Sequence, residues 1–177
     1  GSIEIIYAPK KSKIKPNSNK ITKQIEFENL ISSKDYKKFN LRVDNINKTT
    51  NLLLENIKNA KKKIIGYGAA TKGNIVLNHC NISRDKIPLI CDENEEKFSR
   101  YTPGSNIKII SKKMMRKLNP DYLLVLIWSF KSEVIKQEMN YIKKGGKLIF
   151  HLPFLHIVDL ENYKEHLNEN FEAFSYK

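Results

Sequence analysis

The chain has 177 residues, enough for one domain with a long lead-in or an appendage, and its 40% hydrophobic share describes a soluble globular protein. Its formal charge of +13, from 32 basic and 19 acidic residues, favours anionic partners without naming one. No apolar run approaches the roughly 20 residues that span a bilayer, and nothing resembles a cleavable signal peptide, so membrane insertion is not expected. Cys80 and Cys91 are too few and too badly spaced for a disulfide framework or a zinc site. Two reduced core cysteines point to the cytoplasm, with no metal. The lysines are scattered over element ends, with no zinc-finger spacing or RNA-binding aromatic motif beside them, so nucleic acid is not the expected partner.

In chain order, residues 3–8 read as a short alternating strand ended by Pro9. Residues 10–20 are polar, basic and turn-rich, hence exposed and mobile. Ser32 with Asp35 three residues on is a capping pair that opens a long helix. Along it Tyr36, Phe39, Val43, Ile46, Thr50, Leu53 and Ile57 recur at alternating steps of three and four. This seam suits packing against the following domain, or a coiled-coil dimer about three heptads long. Packing is the favoured use.

From residue 61 the pattern alternates. Strands are expected over 63–66, 87–91, 107–110, 122–127 and 147–150. Helices are expected over 72–80, from a Ser111 cap to before Pro120, and over 132–144, closed by Gly145 and Gly146. The run at 122–127 is continuously apolar, as in a strand buried on both faces. The fold class is therefore α/β, a Rossmann-like parallel sheet flanked by helices and preceded by a long connector helix. Residues 1–60 form the lead-in and connector, and 61–177 the Rossmann-like domain.

The segment Gly66-Tyr67-Gly68-Ala69-Ala70-Thr71-Lys72-Gly73-Asn74 carries most of the functional information. Glycines and alanines turn the backbone at close range after a strand, and Lys72 adds a cation where a helix begins. Such a start presents free N–H groups and a positive dipole end to a phosphate. The spacing departs from both common fingerprints: Thr71 stands where a dinucleotide loop has its third glycine, and Gly73 where a Walker A loop has Ser or Thr. A tight structural turn with an incidental lysine is the alternative.

Ligands in such folds collect at the carboxyl ends of the strands. There Asp92 and Glu93 follow the second strand, Trp128-Ser129-Phe130 the buried run, and His151 the last strand. Asp92 is suited to ribose hydroxyls or to a capping role in its own turn. Trp128 is suited to stacking on a base or sugar or to closing the sheet edge. His151 is a candidate acid, base or phosphate donor. No catalytic residue is assigned.

The glycine loop, followed by Leu77-Asn78-His79-Cys80-Asn81-Ile82, resembles the signature of the carboxyl-terminal domain of sugar C-methyltransferases. The resemblance extends through Asp92, Lys97, Arg100-Tyr101-Thr102-Pro103-Gly104, Ile107, Pro120-Asp121-Tyr122, Trp128-Ser129-Phe130 and Gly145 to Ile149. Thr71, Phe98-Ser99, Ser129 and His151 depart from the family's usual residues. The resemblance implies a domain that binds a nucleotide-diphosphate sugar, within an enzyme that methylates a keto-deoxysugar carbon from S-adenosylmethionine. It also implies that residues 1–60 hold the end of the preceding methyltransferase domain, a basic loop and the connector helix, and that the domain binding S-adenosylmethionine otherwise lies outside this chain, so the chain by itself binds no cofactor and is inactive. In that setting the loop, Lys72, Lys97 and Arg100 hold the diphosphate. Tyr101, with its neighbours, forms a cleft lip, and Asp92, Trp128, Ser129 and His151 contact the rest of the ligand. The rival reading is a stand-alone NAD-binding oxidoreductase or regulatory domain.

Overall fold

The computed structural model describes residues 7–15 and 17–167. The strand expected over 3–8 falls outside them, save for Tyr7 and Ala8, which have no regular structure. Two compact units divide between Arg42 and Val43.

In the first unit, helix α1 (Ser18–Asn29) begins inside the stretch expected to be turn-rich. The Asn17 side chain caps it by accepting the Lys20 N–H at 3.2 Å, and Gln24 donates to Glu28 one turn on at 2.9 Å. The helix buries none of its residues, so the apolar periodicity that reveals most helices is weak here. Helix α2 (Ser33–Asn59) opens as expected: the Asp35 carboxylate accepts from the Ser32 hydroxyl at 2.7 Å and from its N–H at 2.9 Å. These bonds to Ser32 hold the Asp35 pKa below its usual value.

Helix α2 crosses the division between the units, and its later residues belong to the second. There Thr50, Leu54 and Ile57 are buried, Leu54 and Ile57 in the core of the sheet domain. Of the expected seam, Thr50 and Ile57 are buried and Leu53 packs half-buried against the core, so the seam meets the following domain over this stretch, joined by Leu54 beside it. Tyr36 and Phe39, earlier on the same seam, are exposed.

After β1 (Ile64–Tyr67) and α3 (Thr71–His79) come β2 (Leu89–Asp92), β3 (Lys108–Ser111) and α4 (Lys112–Leu118). Then follow β4 (Tyr122–Val125), α5 (Lys131–Gln137), α6 (Met139–Lys143), β5 (Lys147–Phe150), β6 (His156–Val158) and α7 (Tyr163–Leu167). The sheet order is β3-β2-β1-β4-β5-β6, with every pair parallel except β5 and β6. Successive strand residues serve opposite faces. Ile64, Ile90, Leu124 and Ile149 pack with Leu77 of α3 and the end of α2. Ile65, Tyr67, Cys91, Val125 and Phe150 pack with Met115 of α4 and Val134 and Ile142 of α5 and α6. Both faces are covered, which accounts for the apolar run at β4.

Several details differ from expectation, among them α7, which was not expected, and the end of β4 at Val125. The helix expected over 132–144 is broken at Glu138, whose backbone leaves helical geometry and whose carboxylate turns inward. Strand β6 was not expected, because three residues behind Pro153 give no period of two to read.

Candidate functional site

Strand order reverses at β1, which lies between β2 and β4, so the loop after Tyr67 leaves the sheet at a switch point. Gly68 there has φ +90°, and a Cβ on it would meet the Ile127 side chain at 2.6 Å. Its N–H donates to the Cys91 carbonyl at 2.8 Å. Helix α3 starts with Ala70 at the N-cap, which has no side-chain acceptor to give the first-turn N–H groups. Thr71 and Lys72 beside them are exposed, and Lys72 has no hydrogen bond or ion pair among the described residues. The close helix–strand approach expected of a third glycine occurs at Gly73: a Cβ there would lie 2.8 Å from that of Leu126. Thr71, facing outward, needs no glycine. Asn74 continues the helix, and its Oδ1 is buried without a partner.

Asp92 holds the loop. One carboxylate oxygen accepts the Ala69 N–H at 2.8 Å and the Lys97 ammonium at 3.1 Å, and the other accepts the Asn94 N–H at 2.9 Å. Lys97 also donates to the Ala69 carbonyl at 3.0 Å. Of the two roles weighed for Asp92, this geometry is that of a residue shaping its own turn and the neighbouring loop.

Residues 99–109 fold back on themselves. Ile109 donates to the Arg100 carbonyl at 2.8 Å, Thr102 to the Ile107 carbonyl at 2.9 Å, and Tyr101 bridges Lys108. The Asn78 amide of α3 donates to the Pro103 carbonyl at 3.0 Å. An open groove of about 630 Å³ runs between α3 and this turn, past Thr71, Asn74 and Gly104. Arg100 and Tyr101 are exposed but do not line it.

Past β4, Trp128 is half-buried and its ring stands nearly perpendicular to that of His151, with centroids 5.3 Å apart. Ser129 is exposed. His151 is fully buried, and neither ring nitrogen has a hydrogen-bond partner. Burial lowers its pKa to about 4; the nearby Val125 backbone acts in the opposite direction without completing a hydrogen bond. Neither Trp128 nor His151 lines either cavity.

A second cavity of about 350 Å³ opens on the α4–α5 side of Gly68, walled by Glu93, Lys112, Ile127, Phe130, Glu133 and Gln137. Its floor is Tyr67. The Lys112 ammonium sits 4.5 Å from the Tyr67 ring centroid and bonds Glu93 and, at 3.0 Å, Gln137. Below, the buried Glu138 carboxylate accepts the Tyr67 hydroxyl at 3.0 Å and Arg116 at 2.7 Å. Burial first, then the Glu138 charge, push the Tyr67 pKa far above its usual value, so the phenol stays protonated. Burial likewise pushes the Cys91 thiol up to about 12, so it is no nucleophile. The sequence reading missed Lys112, Glu133 and Gln137. Each lies at an ordinary helix position, and only the sheet order brings them beside the loop.

Among the described residues, no group of three or more metal-ligating side chains occurs and no helix is long and apolar enough to cross a membrane. Both cysteines are free and buried.

Comparison with known proteins gives two findings. The model of the C-methyltransferase C-terminal domain family matches residues 1–153. The C-methyltransferase NovU of Streptomyces niveus is 26% identical over 164 residues, covering 92% of this chain and 39% of NovU. The chain thus spans about two-fifths of that relative's length.

Proposed function

Because this chain belongs to the C-methyltransferase C-terminal domain family, we propose that it is the nucleotide-sugar-binding domain of an S-adenosylmethionine-dependent enzyme. The substrate on this reading is a nucleotide-linked keto-deoxysugar, and the reaction is methylation of one of its carbons in the cytoplasm. The observation that carries the reading is the start of α3. An uncapped helix end, a glycine turn of positive φ and an unpaired Lys72 meet at the sheet's switch point. A diphosphate supplies the acceptors that these donors lack. Arg100, exposed on the neighbouring turn, adds a second cation within the same unit.

We read S-adenosylmethionine as a poorer ligand for this loop than a diphosphate. Its sulfonium and ammonium find no attraction at a positive helix end beside a lysine, and its single carboxylate offers less negative charge than a diphosphate. The carboxylate after β2, which would receive its ribose hydroxyls, already holds Ala69, Asn94 and Lys97. We therefore assign the methyl donor to a part of the enzyme outside this chain. The present domain contributes by holding the sugar in place, which removes the entropy cost of a free encounter.

Calorimetric titration of the chain with dTDP-glucose, NAD and S-adenosylmethionine tests the reading. Binding of the dTDP-sugar alone is expected. Tighter binding of NAD would replace the proposal with a dinucleotide-binding oxidoreductase or regulator. A second check incubates the chain with labelled methyl donor and a dTDP-keto-deoxysugar, where no transfer is expected.

A further inference from the structure

We infer that the crevice on the α4–α5 side of Gly68 receives an uncharged, hydroxyl-bearing ring of the ligand while the phosphates remain at the start of α3. This rests on the nucleotide-sugar reading of the same loop and divides the ligand between the loop's two sides.

Charge separates the two sides. At the start of α3, Lys72 is unpaired and the helix dipole is positive. In the crevice the one lining cation, Lys112, is paired with Glu93, whereas Glu133 has no cationic partner among the described residues. A phosphate entering the crevice finds no free positive charge and one unpaired carboxylate. A hydroxyl group, both donor and acceptor, finds partners for both functions.

Those partners are specific. Gln137 turns its amide oxygen to the Lys112 ammonium at 3.0 Å and the Tyr67 hydroxyl at 3.2 Å. Tyr67 has one hydroxyl proton and donates it in the shorter bond, to Glu138 at 3.0 Å, so Lys112 is the donor that fixes the amide's orientation. The Gln137 N–H groups are left to donate to a ligand, and the Glu93 and Glu133 carboxylates to accept from one. Across from them, Ile127 and the ring of Phe130, 56% exposed, form an apolar wall. A sugar ring has that polarity, with hydroxyls at its edge and C–H groups on its faces. At about 350 Å³ the crevice is at the small end of ligand pockets and takes one ring of a nucleotide-sugar, not the whole molecule.

Either the nucleoside's pentose or the pendant hexose supplies such a ring, and calorimetry with dTDP and dTDP-glucose distinguishes them. The variants are Phe130→Ala and Glu133→Gln, both at exposed positions, with the fold checked by circular dichroism. Each is expected to weaken dTDP-glucose roughly three- to tenfold. An equal loss for dTDP assigns the crevice to the pentose, and an unchanged dTDP affinity assigns it to the hexose. Either result supports the inference. Unchanged affinity for both ligands in both variants, while Lys72→Ala weakens both, overturns it and leaves the nucleotide-sugar reading standing. No binding of either ligand by the unaltered chain overturns both.

Discussion

Asp92 and Lys97 meet at 3.1 Å and grip one residue from two sides, the carboxylate taking the Ala69 N–H and the ammonium the Ala69 carbonyl. The turn that precedes α3 is thus fixed by side chains from the end of β2 and the short turn after it. A loop meant to bind phosphate through its backbone needs such fixing, because each N–H must already point outward when the ligand arrives.

Removing the two members should have unequal effects. Asp92→Ala leaves the Ala69 and Asn94 N–H groups without acceptors, and should cost about 1–3 kcal/mol of stability. Lys97→Met removes the charge of a side chain that is 36% exposed, and should cost less than about 1 kcal/mol. Both should weaken dTDP-glucose, since both loosen the loop. Urea unfolding and calorimetry on the two variants check this. Full affinity in the folded fraction of Asp92→Ala would mean that the loop keeps its shape unaided.

Much of this was legible in the sequence, for reasons tied to particular residues. Buried strands such as Tyr122–Val125 announce themselves by unbroken apolar character, and Ser111 marks a helix start that the structure confirms by its bond to the Met114 N–H at 3.1 Å. The glycine loop was visible because positive φ at Gly68 and close packing at Gly73 exclude other residues. The crevice was not visible. Glu93 and Phe130 stand at recognisable strand ends, but Lys112, Glu133 and Gln137 lie on two helices, and nothing local to any of them records the sheet order that brings them alongside. Helix α1 escaped for the opposite reason: it is held by capping and exposed polar pairs, without a buried face.

Glu138 should be the costliest acid to remove. It is 1% exposed and satisfies both the Tyr67 hydroxyl and Arg116. Glu138→Ala should lower unfolding free energy by about 2–4 kcal/mol in urea, because the Tyr67 hydroxyl stays buried without its strong acceptor. Arg116, half-exposed, reaches water and adds little. Adding Tyr67→Phe to Glu138→Ala should then recover part of the loss. A double variant no better than the single would locate the cost in packing around the lost carboxylate.

His151 sets a pH window. Its pKa falls from 6.5 in the unfolded chain to about 4 in the fold, chiefly through burial. As pH falls from 6.5 towards 4 the unfolded chain takes up a proton that the folded chain refuses, so stability declines. Below about 4 both states carry the proton and the decline ends. The shift corresponds to roughly 3 kcal/mol across the window. His151→Leu should remove that segment of the pH profile and cost little at pH 7, since neither ring nitrogen has a partner to lose. The difference between wild-type and variant unfolding curves at pH 7, 5.5 and 4 measures it directly.

Lys72 separates phosphate attraction from shape. It is exposed and unpaired beside the uncapped start of α3, so its contribution to ligand affinity is a solvated charge–charge term. Such a contact is worth about 1 kcal/mol at low salt, or roughly fivefold in affinity, and screening shrinks it as the Debye length falls from about 10 Å at 0.1 M to about 3 Å at 1 M. Lys72→Ala should therefore bind dTDP-glucose several-fold more weakly at low salt, and the gap from wild type should close as salt rises. The fold should be unaffected, because the side chain is exposed and makes no hydrogen bond or ion pair among the described residues. The backbone donors and the Asp92–Lys97 grip persist in the variant, so residual binding should remain at every salt concentration. Calorimetry at low and high sodium chloride tests both parts. A gap that does not narrow with salt would mean that Lys72 acts by contact with an uncharged group, and would move the phosphates away from the start of α3.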